Sequence, residues 1–141
     1  MTKSELIFSE AKKYLGVKEI NGPKSNPIIT GWIKSAARWL NGDDSQTAWC
    51  GCFRGAIGLA TGTGVPSSHY RAANWLSWGD KVKTIRDAII GDTLVFKRPG
   101  GYHVGLFAGM DGQNILVLGG NQSNEVNISK HSTTILEGIR R

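Results

Sequence analysis

The apolar positions change their spacing about half-way along the chain. In the first half they recur every three or four residues, the period of a helix with one buried face. Ile7, Ala11, Tyr14 and Leu15 make one such stripe, opened by Thr2 and Glu5 at capping-box spacing and stopped by Gly16. After the turn-rich stretch Asn21-Gly22-Pro23, Asn26 is placed to cap a second helix with Pro27 at its first position. The predicted buried face of that helix is Ile28, Trp32, Ile33, Ala36 and Leu40, and Gly42 ends it. A polar loop over 42–46 leads to a third helix from about Ala48 to Ala60, closed by Gly62. In the second half, short apolar or alternating runs cover 93–98, 103–108, 114–119, 125–129 and 134–140. Pro99-Gly100-Gly101, Asp111-Gly112 and the polar stretch 121–124 separate them, as turns separate strands. Helices followed by a block of antiparallel strands predict an α+β domain.

Composition narrows this picture. A chain of 141 residues suits one domain, residues 1–141, with no repeat or linker. The formal charge of +6 favours polyanionic surfaces. Lys and Arg are scattered, with no run of five and no aromatic-interleaved basic stripe, so no nucleic-acid partner is expected. Cys50 and Cys52 stand one residue apart, too few for a disulfide framework. That spacing is foreign to zinc fingers, and Asp43-Asp44 lacks the alternation of a calcium loop, so neither a metal nor a cofactor is expected. The N-terminal Met-Thr-Lys-Ser-Glu-Leu carries no apolar signal-peptide core, and no stretch approaches the ~20 apolar residues of a membrane span. The expectation is a monomer without stable membrane insertion, made in the cytoplasm and released by some other agent if it works outside.

The candidate chemistry starts on the third helix. With Thr47 as its N-cap, Cys50 falls at the third helical position, among free N–H groups and the positive end of the helix dipole, a setting that favours a thiolate nucleophile. Cys52, about 200° round the helix, points to the core, while Gly51, Gly55 and Gly58 leave a bare face for another backbone. A thiolate needs a base. His69 and His131 lie in polar segments and read as surface residues, whereas His103 opens a strand directly after a glycine turn. Depending on loop length, hairpin pairing sets residue 103 opposite Gly120, Asn121 or Gln122, so an amide able to hold one imidazole nitrogen falls opposite or beside it in every register. Of five tryptophans, Trp49, Trp75 and Trp78 are the ones whose neighbours suggest a substrate groove, and Gln122 joins them as a substrate contact.

These residues carry a resemblance. Tyr-Leu-Gly-Val-Lys-Glu at 14–19, Gly-Pro-Lys-Ser-Asn-Pro at 22–27 and Thr-Ala-Trp-Cys-Gly-Cys-Phe at 47–53 come first. Ala-Ala-Asn-Trp-Leu-Ser-Trp-Gly at 72–79, Gly-Asp-Thr-Leu-Val-Phe at 91–96, His-Val-Gly-Leu-Phe at 103–107 and Leu-Gly-Gly-Asn-Gln at 118–122 follow in order. As a set the chain resembles the NlpC/P60 and CHAP superfamily of wall-active cysteine peptidases and amidases, in particular a small phage-endolysin-like branch. The resemblance implies a papain-like fold with the cysteine at a helix N-terminus packed on an antiparallel sheet that carries the histidine. It implies Cys50 as nucleophile, His103 as base and Asn121 as the residue that orients it, with Gln122 adjacent. It departs at Cys52, where many relatives have a small residue such as alanine. The implied activity is hydrolysis of an amide bond in the peptide part of peptidoglycan, in the periplasm or cell wall. An exported antibacterial amidase, a cysteine acyltransferase or deamidase on another substrate, and a non-catalytic wall-binding module are the competing readings.

Overall fold

A computed structural model describes residues 1–20 and 24–141, and the stretch Asn21-Gly22-Pro23 lies outside them. Thr2 caps helix α1 (Lys3–Lys12) by accepting the Glu5 N–H. This helix ends before Gly16 is reached. Tyr14 still turns inward, edge-on to Trp32 and Phe53, whereas Leu15 is exposed. Helix α2 (Pro27–Ala36) begins as expected, with Asn26 accepting the Ile28 N–H and Pro27 in the first turn. Its buried face is Ile29, Trp32 and Ile33, so Ile28 points outward instead. The helix stops at Ala36, and the Lys34 amine then binds the carbonyls of Arg38 and Leu40 in the descending loop.

Helix α3 (Cys50–Thr61) ends where Gly62 takes a left-handed conformation. Its start differs from the expected one. The Thr47 hydroxyl donates to the Asn41 carbonyl and caps nothing in α3, and Trp49 precedes the first turn without a side-chain cap. Cys50 is therefore the first helical residue rather than the third.

Six strands form one antiparallel sheet: β1 (Lys81–Val82), β2 (Thr93–Arg98), β3 (Gly101–Asp111), β4 (Asn114–Gln122), β5 (Glu125–Ser132) and β6 (Leu136–Arg140). Their spatial order is β1-β6-β2-β3-β4-β5. A 3-10 turn over Thr133–Ile135 delays β6 by two residues, and the short β1 has no periodicity to announce it. Side chains alternate across the sheet as the pleat requires. Val95, Val104, Leu106, Leu118 and Val126 join the helices in the larger core, with Ile7, Ile33, Trp49 and Phe53. Leu94, Phe96, Phe107, Ile115, Val117 and Ile139 form a smaller core on the other face. The outer edge of β5 is covered by the chain at 16–19, where Gly16 donates to Val126, Val126 to Val17 and Glu19 to Asn124.

The β3–β4 hairpin decides the site. Asp111 pairs with Asn114, and a bulge between Phe107 and Gly109 shifts the register so that Leu106 faces Leu118. Beyond that pair the two strands have no further ladder partners: 101–105 bond to β2, while 119–122 bond irregularly to β5.

Candidate active site

Cys50 sits where α3 meets this opening. Its position at the helix end leaves its own N–H and that of Gly51 free of intrahelical partners. The side chain is 6% exposed. The helix end is tightly seated, since a Cβ on Gly51 would stand 2.6 Å from the Tyr70 carbonyl oxygen. Burial pushes the thiol pKa up, and the N–H groups of Val104, Gly51 and Cys50 with the charge of Arg98 only partly oppose it. The helix end therefore favours the thiolate as expected, yet desolvation wins and the resting group is a thiol. Cys52 is fully buried on the core side and pushed up to about 12, first by burial and then by Cys50.

The main-chain N–H of Val104, the residue after His103, is among the groups that lower the Cys50 pKa, and α3 packs on β3, the strand that carries both residues. His103 is 1% exposed and reaches across the opening between β3 and β4. Its Nε2 lies 2.9 Å from Gln122 Oε1. Gln122 is itself anchored: its Nε2 donates to the carbonyls of Val117 (3.0 Å) and Asn127 (2.9 Å) and to Asn127 Oδ1 (2.9 Å). The Asn127 amide returns a bond to the Gln122 carbonyl. His103 Nδ1 is buried and makes no hydrogen bond among the described residues. Burial lowers the His103 pKa to about 4; the Gln122 bond works against this, and the charges of Arg98 and His131 work with it. The imidazole is neutral at physiological pH, with one nitrogen held and the other open.

Several expectations need correction. The amide that binds His103 is Gln122 and not Asn121. Asn121 stands at φ +57° within the β4 irregularity, and among the described residues its side chain makes no hydrogen bond. The hairpin register alone points at residue 121, and the bulge carries the next residue into place. Trp49, Trp75 and Trp78 are 0%, 0% and 7% exposed and do not line an open groove. Trp49 packs beside Trp32 with its Nε1–H on Glu19; Trp75 donates to the His69 carbonyl; Trp75 and Trp78 flank the buried guanidinium of Arg54. The exposed tryptophan is Trp39 at 71%, edge-on to Tyr70.

His69 and His131 are not loose surface residues either. His69 is buried against the bare face at Gly55. His131 lies on β5 with its ring stacked on His103 (centroids 5.2 Å apart) and on Phe96 (5.0 Å), and its Nε2 is 3.0 Å from Gln122 Oε1. Sequence reasoning passed over it, although Asn127, Ser129 and His131 alternate along β5 and so share one face. Arg98, at the end of β2, is the cation whose field reaches Cys50, His103 and His131.

A polar cavity of about 460 Å³ is lined by Lys18, Glu19, Ile20, Ser45, Ser123, Asn124 and Glu125, and by none of Cys50, His103 or Gln122. It shares Glu19 with the Trp49 bond and Ser123-Asn124 with the turn after Gln122. Among the described residues no three His, Cys, Asp or Glu side chains are grouped to hold a metal ion, and no helix is long and apolar enough to cross a membrane.

No protein-family model and no curated protein matches the sequence. Solved structures do match the fold. RipD from Mycobacterium tuberculosis, described as a non-catalytic NlpC/p60 domain protein with an adaptation to peptidoglycan-binding function, superposes with a TM-score of 0.59 at 19% identity, over 100% of this chain and 98% of its own. NlpC1 from Trichomonas vaginalis superposes with a TM-score of 0.56 at 18% identity, over 98% of this chain. The fold is that of NlpC/P60 domains. The chain spans 43% of the length of NlpC1. In this NlpC/P60 fold the helix beginning at Cys50 packs on β3 and β4, which carry His103 and Gln122.

Proposed function

We propose that the protein is a cysteine peptidase or amidase that hydrolyses an amide bond in the peptide part of bacterial peptidoglycan, with Cys50 as nucleophile, His103 as base and Gln122 orienting the base. One observation carries the reading. A free cysteine stands at the first position of a helix that packs on β3, the strand whose buried imidazole has one nitrogen held by Gln122 and the other unbonded among the described residues. His103 Nδ1 takes the Cys50 proton as the sulfur attacks the scissile carbonyl. The Cys50 N–H, free at the helix end, faces the oxyanion. Breakdown expels the amine, which receives that proton from His103, and leaves a thioester on Cys50. Water then gives a proton to His103 as it attacks the thioester; the acid departs and the sulfur recovers its proton.

The wall substrate is supported by the NlpC/P60 fold, by the peptidoglycan-binding function described for RipD and by the chain's net charge of +6, which suits an anionic polymer. The resemblance to the phage-associated branch extends the proposal to an endolysin that acts in the periplasm or cell wall after release from the host cytoplasm. A wall-binding module without catalysis is the second reading, favoured by the burial of the thiol and by RipD's description as non-catalytic. Purified Gram-negative sacculi separate the two. Wild type is expected to solubilise them and Cys50→Ala is not, and mass spectrometry of the fragments names the bond. Sedimentation of both proteins with intact sacculi and no fragments released would establish the binding module.

A further inference from the structure

Resting on that reading, we propose that His131 is a positioning residue of the site: through its bond to Gln122 and its stacking on His103 it fixes the imidazole whose Nδ1 takes the Cys50 proton. Gln122 sets the tautomers. Its NH2 group faces three acceptors, the Val117 and Asn127 carbonyls and Asn127 Oδ1. A flipped amide would set its oxygen against all three, so the observed orientation is the only satisfied one. Oε1 must then accept on both lone pairs, from His103 Nε2 at 2.9 Å and His131 Nε2 at 3.0 Å. Both neutral imidazoles therefore carry their proton on Nε2, and His103 Nδ1 is left as the lone-pair nitrogen. His131 supplies the second donor that Oε1 needs, and its ring, resting on Phe96, lies against the face of His103. These contacts come from three strands, β2, β4 and β5, so rotation of His103 disturbs the rings and the shared oxygen together.

The charged and titratable groups facing the pair are Arg98 from β2 and the Cys50 thiol from α3; Gln122 and Asn127 are neutral, and Ser129 Oγ lies 3.4 Å from His131 Nε2. A proton on His131 opposes the imidazolium that His103 must become, so His131 positions only while neutral.

The test is imidazole NMR on the full chain carrying Cys50→Ala, paired with kinetics on sacculi in the Cys50 protein. Spectra of isotope-labelled histidine are expected to give the Nε2–H tautomer for both His103 and His131. His131→Phe keeps the ring stack but removes the donor and the charge, and is expected to raise the midpoint of His103 titration. His131→Ala removes the stack as well and is expected to lower kcat about tenfold, the weight of roughly one well-formed hydrogen bond, with KM within about twofold. A merely structural role would lower the melting temperature and leave the His103 titration where it was. His103 protonated on Nδ1, or a midpoint unmoved in both variants, overturns the proposal. Wild type inert on sacculi with the expected spectra would defeat the hydrolase reading and leave the positioning role standing.

Discussion

Replacing Gln122 by alanine tests the identity of the orienting residue. The change orphans the His103 Nε2–H at a site 1% exposed, and strips the Val117 carbonyl and Asn127 Oδ1 of a donor. Each buried group left unsatisfied costs about 1–3 kcal/mol, and a water entering the space recovers part of it. The net loss is about 2–4 kcal/mol, or roughly 10 °C in melting temperature for a domain of this size. Hydrolysis falls by about 10²-fold or more, because the base loses its tautomer and its aim. The control is Asn121→Gly, since glycine accepts the φ of +57° that alanine would resist. It is expected to cost no more than about 0.5 kcal/mol, as for a substitution that breaks no buried bond, and to leave hydrolysis within a few-fold. Melting by circular dichroism and sacculus clearance at matched folded fraction decide the matter. If Asn121→Gly damages stability and activity more than Gln122→Ala does, the assignment of Gln122 fails.

Three further outcomes follow from the same contacts. Burial lowers the pKa of His103 to about 4 and those of His69 and His131 in the same direction, so the unfolded chain binds protons the folded one refuses. Stability is then full above about pH 6.5 and falls by about 3 kcal/mol from His103 alone towards pH 4. The raised pKa values of Cys50 and Cys52 erode it again above about pH 9, so melting temperature should peak between these limits and a rise on acidification would contradict the account. Gly119→Ala puts a Cβ 2.8 Å from Gln122 Oε1 and 3.3 Å from His103 Nε2, and is expected to lower kcat far more than it lowers the melting temperature; equal kcat would show that the pair has room. Arg54 is buried between Trp75 and Trp78 with only its Nε bonded, to Thr93 Oγ1, so Arg54→Met should match wild-type stability within about 1 kcal/mol while Arg54→Ala loses about 2–5 kcal/mol on denaturant melts.

The fold was legible where one residue dictates its own local structure. Asn26-Pro27 opened α2, Thr2 capped α1, Gly62 closed α3, and the alternation in 93–98 defined β2 with its predicted bounds. It was illegible where tertiary contact overrides local chemistry. Thr47 is a good cap by type, but the Asn41 carbonyl takes its hydroxyl and α3 starts later. The site shows the same division. Cys50 and His103 stood out by their places at a helix start and a strand start, whereas the choice between Asn121 and Gln122 hung on a bulge that no spacing rule predicts. Trp49 beside the cysteine and the pair Trp75 and Trp78 looked like groove walls because sequence neighbourhood says nothing about which side of a backbone faces water. His131, distant in sequence and set in a polar run, became visible only once β5 lay beside β4.

The two shifts at the centre of the candidate site bear on the proposed reaction. Burial lowers the His103 pKa to about 4 and raises that of the Cys50 thiol, so both groups rest neutral. In the proposed mechanism the thiolate therefore forms only as the carbonyl arrives, with charge passing from sulfur to an oxyanion at the helix end. The Val104, Gly51 and Cys50 N–H groups and the charge of Arg98 favour negative charge at the sulfur, and Gln122 favours positive charge on the imidazole, which Arg98 opposes. The burial that suppresses the ions at rest also keeps those dipoles unscreened, so a site with a neutral resting pair is still arranged to stabilise charge once substrate is in place.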